Sequence, residues 1–325
     1  MIWLRRLLRL VLHTAPTVFL VVTLGFLLMQ LAPGDVVDFI AAESGAADAE
    51  AMASFRHVLG LDQGVLAQLV AYYQELLSGS LGTSLRYGKP VTELIASRLP
   101  STLLLVLTAI TFAAAIGIAI GTIMAFSAGR LRERILTLVT LLFYSLPSFW
   151  IGLMLMILFS VILGWLPTGG AASLGKRLTG IDFFLDRAKY LVLPALSLGL
   201  YYIAIYARLT RASVLELRRQ DYVRTAVAKG LSGRQVALRH VLRNALIPVT
   251  TMAGMHIGAI LGGAVVVETV FAWPGMGRLT YEAILSRDYT LLLGILLVSA
   301  LVVVLVNILV DLLHGVLDPR IGARS

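Results

Sequence analysis

The sequence predicts an all-α polytopic membrane protein of six transmembrane helices with both termini on the cytoplasmic side. Of its 325 residues 58% are hydrophobic and only 14% are charged, far too apolar for a soluble domain. Apolar runs of about twenty residues recur along the chain, and at ~1.5 Å per residue each is long enough to cross a ~30 Å hydrocarbon layer. The third observation is where the charge sits. Of the 27 Lys and Arg, 17 fall in segments 1–9, 127–134, 207–248 and 313–325, and the other 10 are spread over longer segments that hold most of the acids. That asymmetry is the positive-inside pattern and assigns those four segments to the cytoplasm. Orientation thus accounts for the net charge of +9, with no need of nucleic acid. The absence of cysteine excludes disulfides, thiolate metal sites and cysteine nucleophiles.

The chain opens MIWLRRLLRL, with Arg5, Arg6 and Arg9 ahead of an apolar run from Leu10 to Leu31. A secretory signal has a shorter apolar core and a small-residue cleavage site, so residues 1–31 are read as a basic start and an uncleaved first helix. Residues 32–96 form the largest segment outside the membrane. Asp35, Asp38, Glu43, Asp48 and Glu50 make its first half acidic, and Val65, Leu66, Leu69, Val70, Tyr73 and Leu77 form an apolar helical stripe. Gly82-x-Ser84 is not read as a hydrolase nucleophile, since no partnered histidine accompanies it.

The membrane core runs from 97 to 312. Its first span, about Thr102 to Phe126, carries Gly117 and Gly121 four residues apart, a small-residue face for close helix packing. The next, about Ile135 to Leu163, is interrupted by Ser145-Leu-Pro-Ser-Phe-Trp150. Carbonyls freed there need partners, so the break faces protein or a water-filled path, or else is a simple kink. An outer loop, 164–189, contains Gly170-Ala-Ala-Ser-Leu-Gly-Lys-Arg177. It lacks both the hydroxyl residue after Lys176 and the preceding strand of a phosphate-binding loop, so this chain is not expected to bind ATP. Spans of about Leu191 to Tyr206, Val249 to Phe271 and Leu291 to Leu312 complete the six, and 313–325 is a cytoplasmic tail. Gly254, Gly258 and Gly262 recur every fourth residue on the fifth span and mark a second packing face. His256 lies on the same span. An intramembrane ionisable group is a functional hypothesis by default, and the preferred reading is a neutral histidine bonded to a neighbouring helix.

Between the fourth and fifth spans lies DYVRTAVAKGLSGRQVALRHVLRNALIP, residues 221–248, with Arg224, Lys229, Arg234, Arg239 and Arg243 against the single acidic Asp221. Tyr222, Val223, Ala226 and Val227 at helical spacing predict a short helix, and Gly230 is suited to the left-handed conformation past its end. Ser232 and Gln235 form a capping box for a second helix running toward Asn244, and Pro248 marks the next segment. On its own the stretch is either a solvated basic loop or a docking elbow. The run RTAVAKGL followed by RHVLRNALIP resembles the cytoplasmic coupling loop of binding-protein-dependent ABC importer permeases, in the form of the dipeptide/oligopeptide/nickel subfamily. The wider family begins this loop Glu-Ala-Ala, where this chain has Arg224-Thr225-Ala226 and keeps Gly230; the peptide subfamily commonly has Arg-Thr-Ala. The N-terminal pattern with Pro16-Thr17, LGLDQ (59–63), GTSLRYGKPVTELIASRLPSTL (82–103), Glu268-Thr-Val-Phe-Ala-Trp-Pro-Gly-Met-Gly-Arg278 and the tail Asp318-Pro-Arg-Ile-Gly resemble the same subfamily. The resemblance covers nearly the whole chain and points to the permease type with a long first periplasmic segment.

It implies a type I ABC importer permease fold in the bacterial cytoplasmic (inner) membrane, and one permease subunit of an ATP-driven importer for peptides or a related small solute. Nickel complexes and glutathione also use this subfamily. The implied partners are a second homologous permease in a heterodimer, two cytoplasmic ATPases, an extracytoplasmic substrate-binding protein and membrane lipid. No catalytic residue, cofactor or metal is expected of the chain, which is not itself an enzyme. The residues expected to couple to the ATPase are Tyr222, Arg224, Thr225, Ala226, Ala228, Lys229, Gly230 and Leu231, within a cytoplasmic loop of 208–248 that moves as a rigid lever. The physical reading agrees: with no nucleotide motif, energy must arrive through a partner, and this loop is the largest cytoplasmic surface. An ion-gradient-driven secondary transporter is the alternative. It would show inverted repeats and buried mid-membrane acids, whereas no internal repeat is visible and Glu268 and Asp311 lie near span ends. A membrane-embedded enzyme would need a serine–histidine or paired-aspartate set. A loop tethered to the bilayer at both ends is a poor reader of a DNA groove.

Overall fold

The computed structural model describes residues 2–31, 34–44, 49–173, 175 and 178–317, with side-chain surroundings for all of these except 2–15, 43–44, 260–263, 311 and 313–317. Ala32-Pro33, Asp48, Lys176, Arg177 and the tail from Asp318 lie outside the described residues, as do the surroundings of Arg5, Arg6, Arg9, Glu43, Gly262 and Asp311. In chain order the elements are α1 (Ile2–Gln30), α2 (Val36–Ser44), α3 (Ala49–Val58), α4 (Val65–Leu77), β1 (Thr83–Ser84), β2 (Lys89–Pro90), α5 (Val91–Phe126), α6 (Leu131–Ser145) and α7 (Ser148–Met156) with a π-helical continuation, Ile157–Ile162. There follow α8 (Gly180–Leu217), α9 (Asp221–Ala228), α10 (Gly233–Gln235), a π-helical stretch Val236–Leu242, α11 (Arg243–Gly263), α12 (Val265–Val270), α13 (Met276–Leu285) and α14 (Tyr289–Leu317). The two short strands are antiparallel, pairing Thr83 with Pro90 and Ser84 with Lys89.

Among the described residues three helices are long and apolar enough to cross a membrane: Val91–Phe126, Gly180–Leu217 and Tyr289–Val310. Leu131–Ser145 and Ser148–Ile162 pass the same test as a pair bent by 99°, and Pro16–Gln30 is a shorter apolar helix. The single third span expected from hydropathy is therefore two helices meeting at a corner. Pro147 explains the corner: Leu146 is extended (φ −88°, ψ 135°), as the residue before a proline is driven to be, and α7 starts afresh after it.

Three other boundaries moved. Helix α8 runs well past the expected fourth span at both ends. Pro248 lies inside α11 rather than at its start; the neighbouring Ala245 and Val249 are buried, so packing carries the helix through a residue that lacks a backbone donor. The expected fifth span ends at Gly263, where Ala264 (φ −74°, ψ −2°) turns the chain into α12.

The chain divides into two compact units, Met1–Ser101 with Gly275–Val304, and Thr102–Pro274 with Leu305–Ser325. In the first, α4 packs on α1 through aromatic pairs, Phe19 with Tyr73 at 5.5 Å and Phe26 with Tyr72 at 6.5 Å between ring centroids. These pairs set the phase of α4. Leu69, Tyr72, Tyr73 and Leu76 pack inward, while Val65, Leu66, Val70 and Leu77 of the expected stripe are exposed. Arg56 bridges Asp35, at 2.7 Å, and Asp38. Burial pushes the Asp35 carboxyl up, but the Arg56 guanidinium and backbone N–H bonds outweigh it and hold its pKa below the usual range. The second unit is built on a core that includes Leu105, Val106, Tyr206, Val267, Phe271 and Trp273.

Candidate functional site

Helix α8 is followed at its C-cap by Arg218, whose guanidinium donates to the Ala125 carbonyl at 3.3 Å and lies 5.0 Å from the Phe126 ring centroid. That contact ties the root of the elbow to the end of α5. Two turns earlier on α8, the Arg211 side chain is gripped by Glu133 of α6, whose other oxygen accepts the Gly129 N–H at 2.6 Å. The elbow thus leaves the helices from an anchored base.

Helix α9 stops as the sequence predicts. Gly230 has φ +79°; its N–H bonds the Val227 carbonyl at 2.9 Å, and the Leu231 N–H reaches Ala226 at 3.4 Å, a Schellman turn. The capping box is complete: Ser232 N–H bonds Gln235 Oε1 at 3.0 Å, and Gln235 N–H bonds Ser232 Oγ at 3.4 Å. The chain then passes through the π-helical stretch into α11. Tyr222 donates its hydroxyl to the His240 carbonyl at 3.2 Å, and Asn244 Nδ2 binds both, closing α9 onto that stretch.

Beneath α9, Val223 and Ala226 are buried against Val214, Val236, Val241, Ala245 and Ala125, a small apolar core belonging to the elbow itself. This sorts the eight residues expected to couple. Tyr222, Arg224, Thr225, Ala228, Lys229, Gly230 and Leu231 lie on the exposed side, while Ala226 is turned inward as part of the core. Arg234, Arg239 and Arg243 add a basic rim. The Arg224–Asp221 pair at 3.5 Å is 75% and 96% exposed and contributes little to stability. Of the apolar residues whose spacing predicted α9, Val227 is 58% exposed, and Leu238 nearby is 52% exposed. The outer surface is therefore a basic field around apolar knobs, suited to docking a protein partner.

The glycine faces also have a physical reading. A Cβ on Gly117 would stand 2.6 Å from Tyr206 Cβ, and one on Gly121 would stand 2.3 Å from the Ala207 carbonyl oxygen, so α5 and α8 touch backbone to backbone there. A Cβ on Gly254 would meet Val310 at 2.2 Å. Gly258 is buried. His256 Nδ1 lies 3.1 Å from the Tyr206 hydroxyl on α8, the neighbouring-helix bond expected for it.

Two buried carboxylates were not legible as such. Glu268, fully buried, accepts the Thr102 hydroxyl at 2.7 Å; its backbone carbonyl takes the Trp273 N–H at 2.8 Å, across a turn in which Ala272 has φ +48°. In the first unit Asp288 accepts the Ser84 hydroxyl at 2.5 Å and the Leu291 N–H at 3.0 Å, so Ser84 is bound to the start of α14.

Residues 117–323 match the family described as binding-protein-dependent transport system inner membrane component, and residues 3–108 match its N-terminal component. The chain belongs to this family. It is 43% identical over 320 residues to the di/tripeptide transport system permease protein DppB of Pseudomonas aeruginosa, covering 94% of this chain and 95% of that one. It is 41% identical over 318 residues to the glutathione transport system permease protein GsiC of Salmonella choleraesuis, covering 98% and 97%, and 40% identical over 306 residues to GsiC of Escherichia coli K12, covering 94% and 95%. A solved chain of the MetNI methionine ABC transporter shares the fold, with a TM-score of 0.56 at 17% identity, covering 70% of this chain and 97% of that one. The protein is thus a multi-pass inner-membrane permease subunit of an ABC importer. It works with ATPase and substrate-binding components, and ATP hydrolysis belongs to the ATPases.

Proposed function

We propose that this permease imports di- or tripeptides, or a close relative such as glutathione, as one half of a heterodimer with a second homologous permease. The relatives that carry those solutes in their names support the substrate class. Six spans with both termini cytoplasmic, from 1–31 through a membrane core of 97–312 with the coupling loop 208–248, remain the reading that the charge asymmetry supports. The elbow is the ATPase-docking element. The observation that carries this is its construction: a basic, partly apolar outer face standing on its own small core and on two arginine anchors. Such an element moves as one body, so closure of the ATPases would swing α8 and α11 with it. Gly230→Val tests the lever. Nothing lies within 4 Å of a Cβ there, so the substitution acts through the positive φ alone. ATP-driven dipeptide uptake should be lost while the ATPases keep hydrolysing; full uptake by this variant would sink the lever.

A further inference from the structure

The corner at Pro147 opens onto a hollow of about 360 Å³, lined by Tyr144, Ser145, Ser148, Tyr201, Tyr202 and Ala259 among others. Its rings form a continuous row: Tyr144 stacks on Tyr201 at 5.3 Å, and Tyr201 meets Tyr202 edge-on at 5.2 Å. Further along the same pair of helices, α6 and α8, a second hollow of about 700 Å³ is lined by Thr137, Arg208, Arg211 and Glu133 among others. Arg208 joins the two, its guanidinium 4.2 Å from the Tyr144 ring centroid. A strip of tyrosine and serine hydroxyls is not a surface that helices present to hydrocarbon, and it leads to Arg208 at the cytoplasmic end of α8. Both volumes suit a small solute.

The two arginines differ. Arg211 is held by Glu133. Arg208 has no ion pair among the described residues; its Nε donates to the Ala204 carbonyl at 3.4 Å and its plane rests on the Tyr144 face, so the two terminal nitrogens are left to meet a planar, two-point acceptor. We propose that the α6–α8 groove is this subunit's wall of the solute path, and that Arg208 is the point that receives the carboxylate end of a passing peptide. The inference rests on the peptide reading above. Tyrosine hydroxyls and faces serve any peptide backbone or apolar side chain, and the hollow at Pro147 has no carboxylate in its lining to trap the amino end. Such weak, successive contacts let a solute leave as well as enter.

The test uses the assembled importer, with its ATPases and binding protein, in vesicles of phosphatidylcholine alone and of phosphatidylcholine with phosphatidylglycerol. The readout is dialanine imported per ATP hydrolysed. Arg208→Gln should lower that ratio about tenfold, the loss of one charge-assisted contact, and Arg208→Lys should recover most of it. The loss should be the same in both lipids. An unchanged ratio overturns the proposal, and a loss confined to the anionic vesicles assigns Arg208 to lipid phosphate instead. The chain has no cysteine, so Ser145→Cys gives an independent arm through a single thiol. Dialanine should slow its labelling by a small charged thiol reagent during turnover, and labelling indifferent to dialanine overturns the path. A parent importer that takes up neither dialanine, trialanine nor glutathione would overturn the peptide reading itself, and the carboxylate contact with it.

Discussion

The elbow and the two buried-carboxylate turns all change the direction of the chain sharply, by opposite means. At Gly230 the turn itself is set by bonds between residues three to five apart, the Schellman pair and the capping box, with a glycine in the left-handed region. At Glu268 and Asp288 the deciding bonds join residues 166 and 204 apart, to Thr102 and Ser84. A turn written locally can stand exposed and move as a unit. A turn held by a buried carboxylate fastens distant segments and fails if either partner is lost. The difference separates transmission from fastening, and it makes the two kinds of turn respond differently to substitution.

The largest expected effect is at Glu268. Glu268→Ala removes the acceptor of the Thr102 hydroxyl in a fully buried setting and should cost about 3 kcal/mol, read as a lower thermal midpoint in detergent. Asp288→Ala loses both the Ser84 bond and the cap of α14, and should cost about 2 kcal/mol by the same assay. Gly230→Val should cost only about 1 kcal/mol while removing coupled uptake. The contrast breaks down if Gly230→Val destabilises the protein more than Glu268→Ala does, or if Glu268→Ala leaves the midpoint unchanged.

The smallest effect is a pH dependence. His57 Nδ1 lies 2.7 Å from Asp62 Oδ2 on the exposed end of α3, and the hydrogen bond and charge of Asp62 raise the His57 pKa. A raised folded-state pKa means that the pair's contribution is fully present below the unfolded value of about 6.5 and fades as pH rises through the folded value. The thermal midpoint should therefore fall slightly across that window. The fall should vanish in His57→Asn, and an identical fall in that variant would contradict the assignment.

What the sequence made legible follows the same division. Gly230, Ser232 and Gln235 could be read because cap and turn chemistry is written within a few residues. The basic start and the asymmetry of arginines were visible because they need only counting. The inward phase of α4 could not be read, because it is chosen by Phe19 and Phe26 on another helix. Hydropathy found the apolar run from Ile135 to Leu163 but carries no direction, so it could not give the 99° corner. Glu268 looked like an acid near a span end and Asp288 was not singled out, since their partners are far away in sequence. The spacing of Val223, Ala226 and Val227 predicted a helix but not which of them face inward, and the elbow's core takes Val223 and Ala226.

On the proposed docking, the exposed side of α9 meets the ATPase while its underside does not. Because the chain has no cysteine, Thr225→Cys and Ala226→Cys are single-thiol probes on adjacent residues, one exposed and one 5% exposed. Each would be treated, in the assembled importer, with a short thiol-to-amine cross-linker. An adduct with the ATPase subunit is expected from Thr225→Cys and none from Ala226→Cys. Equal adducts from both, or from neither, would contradict it.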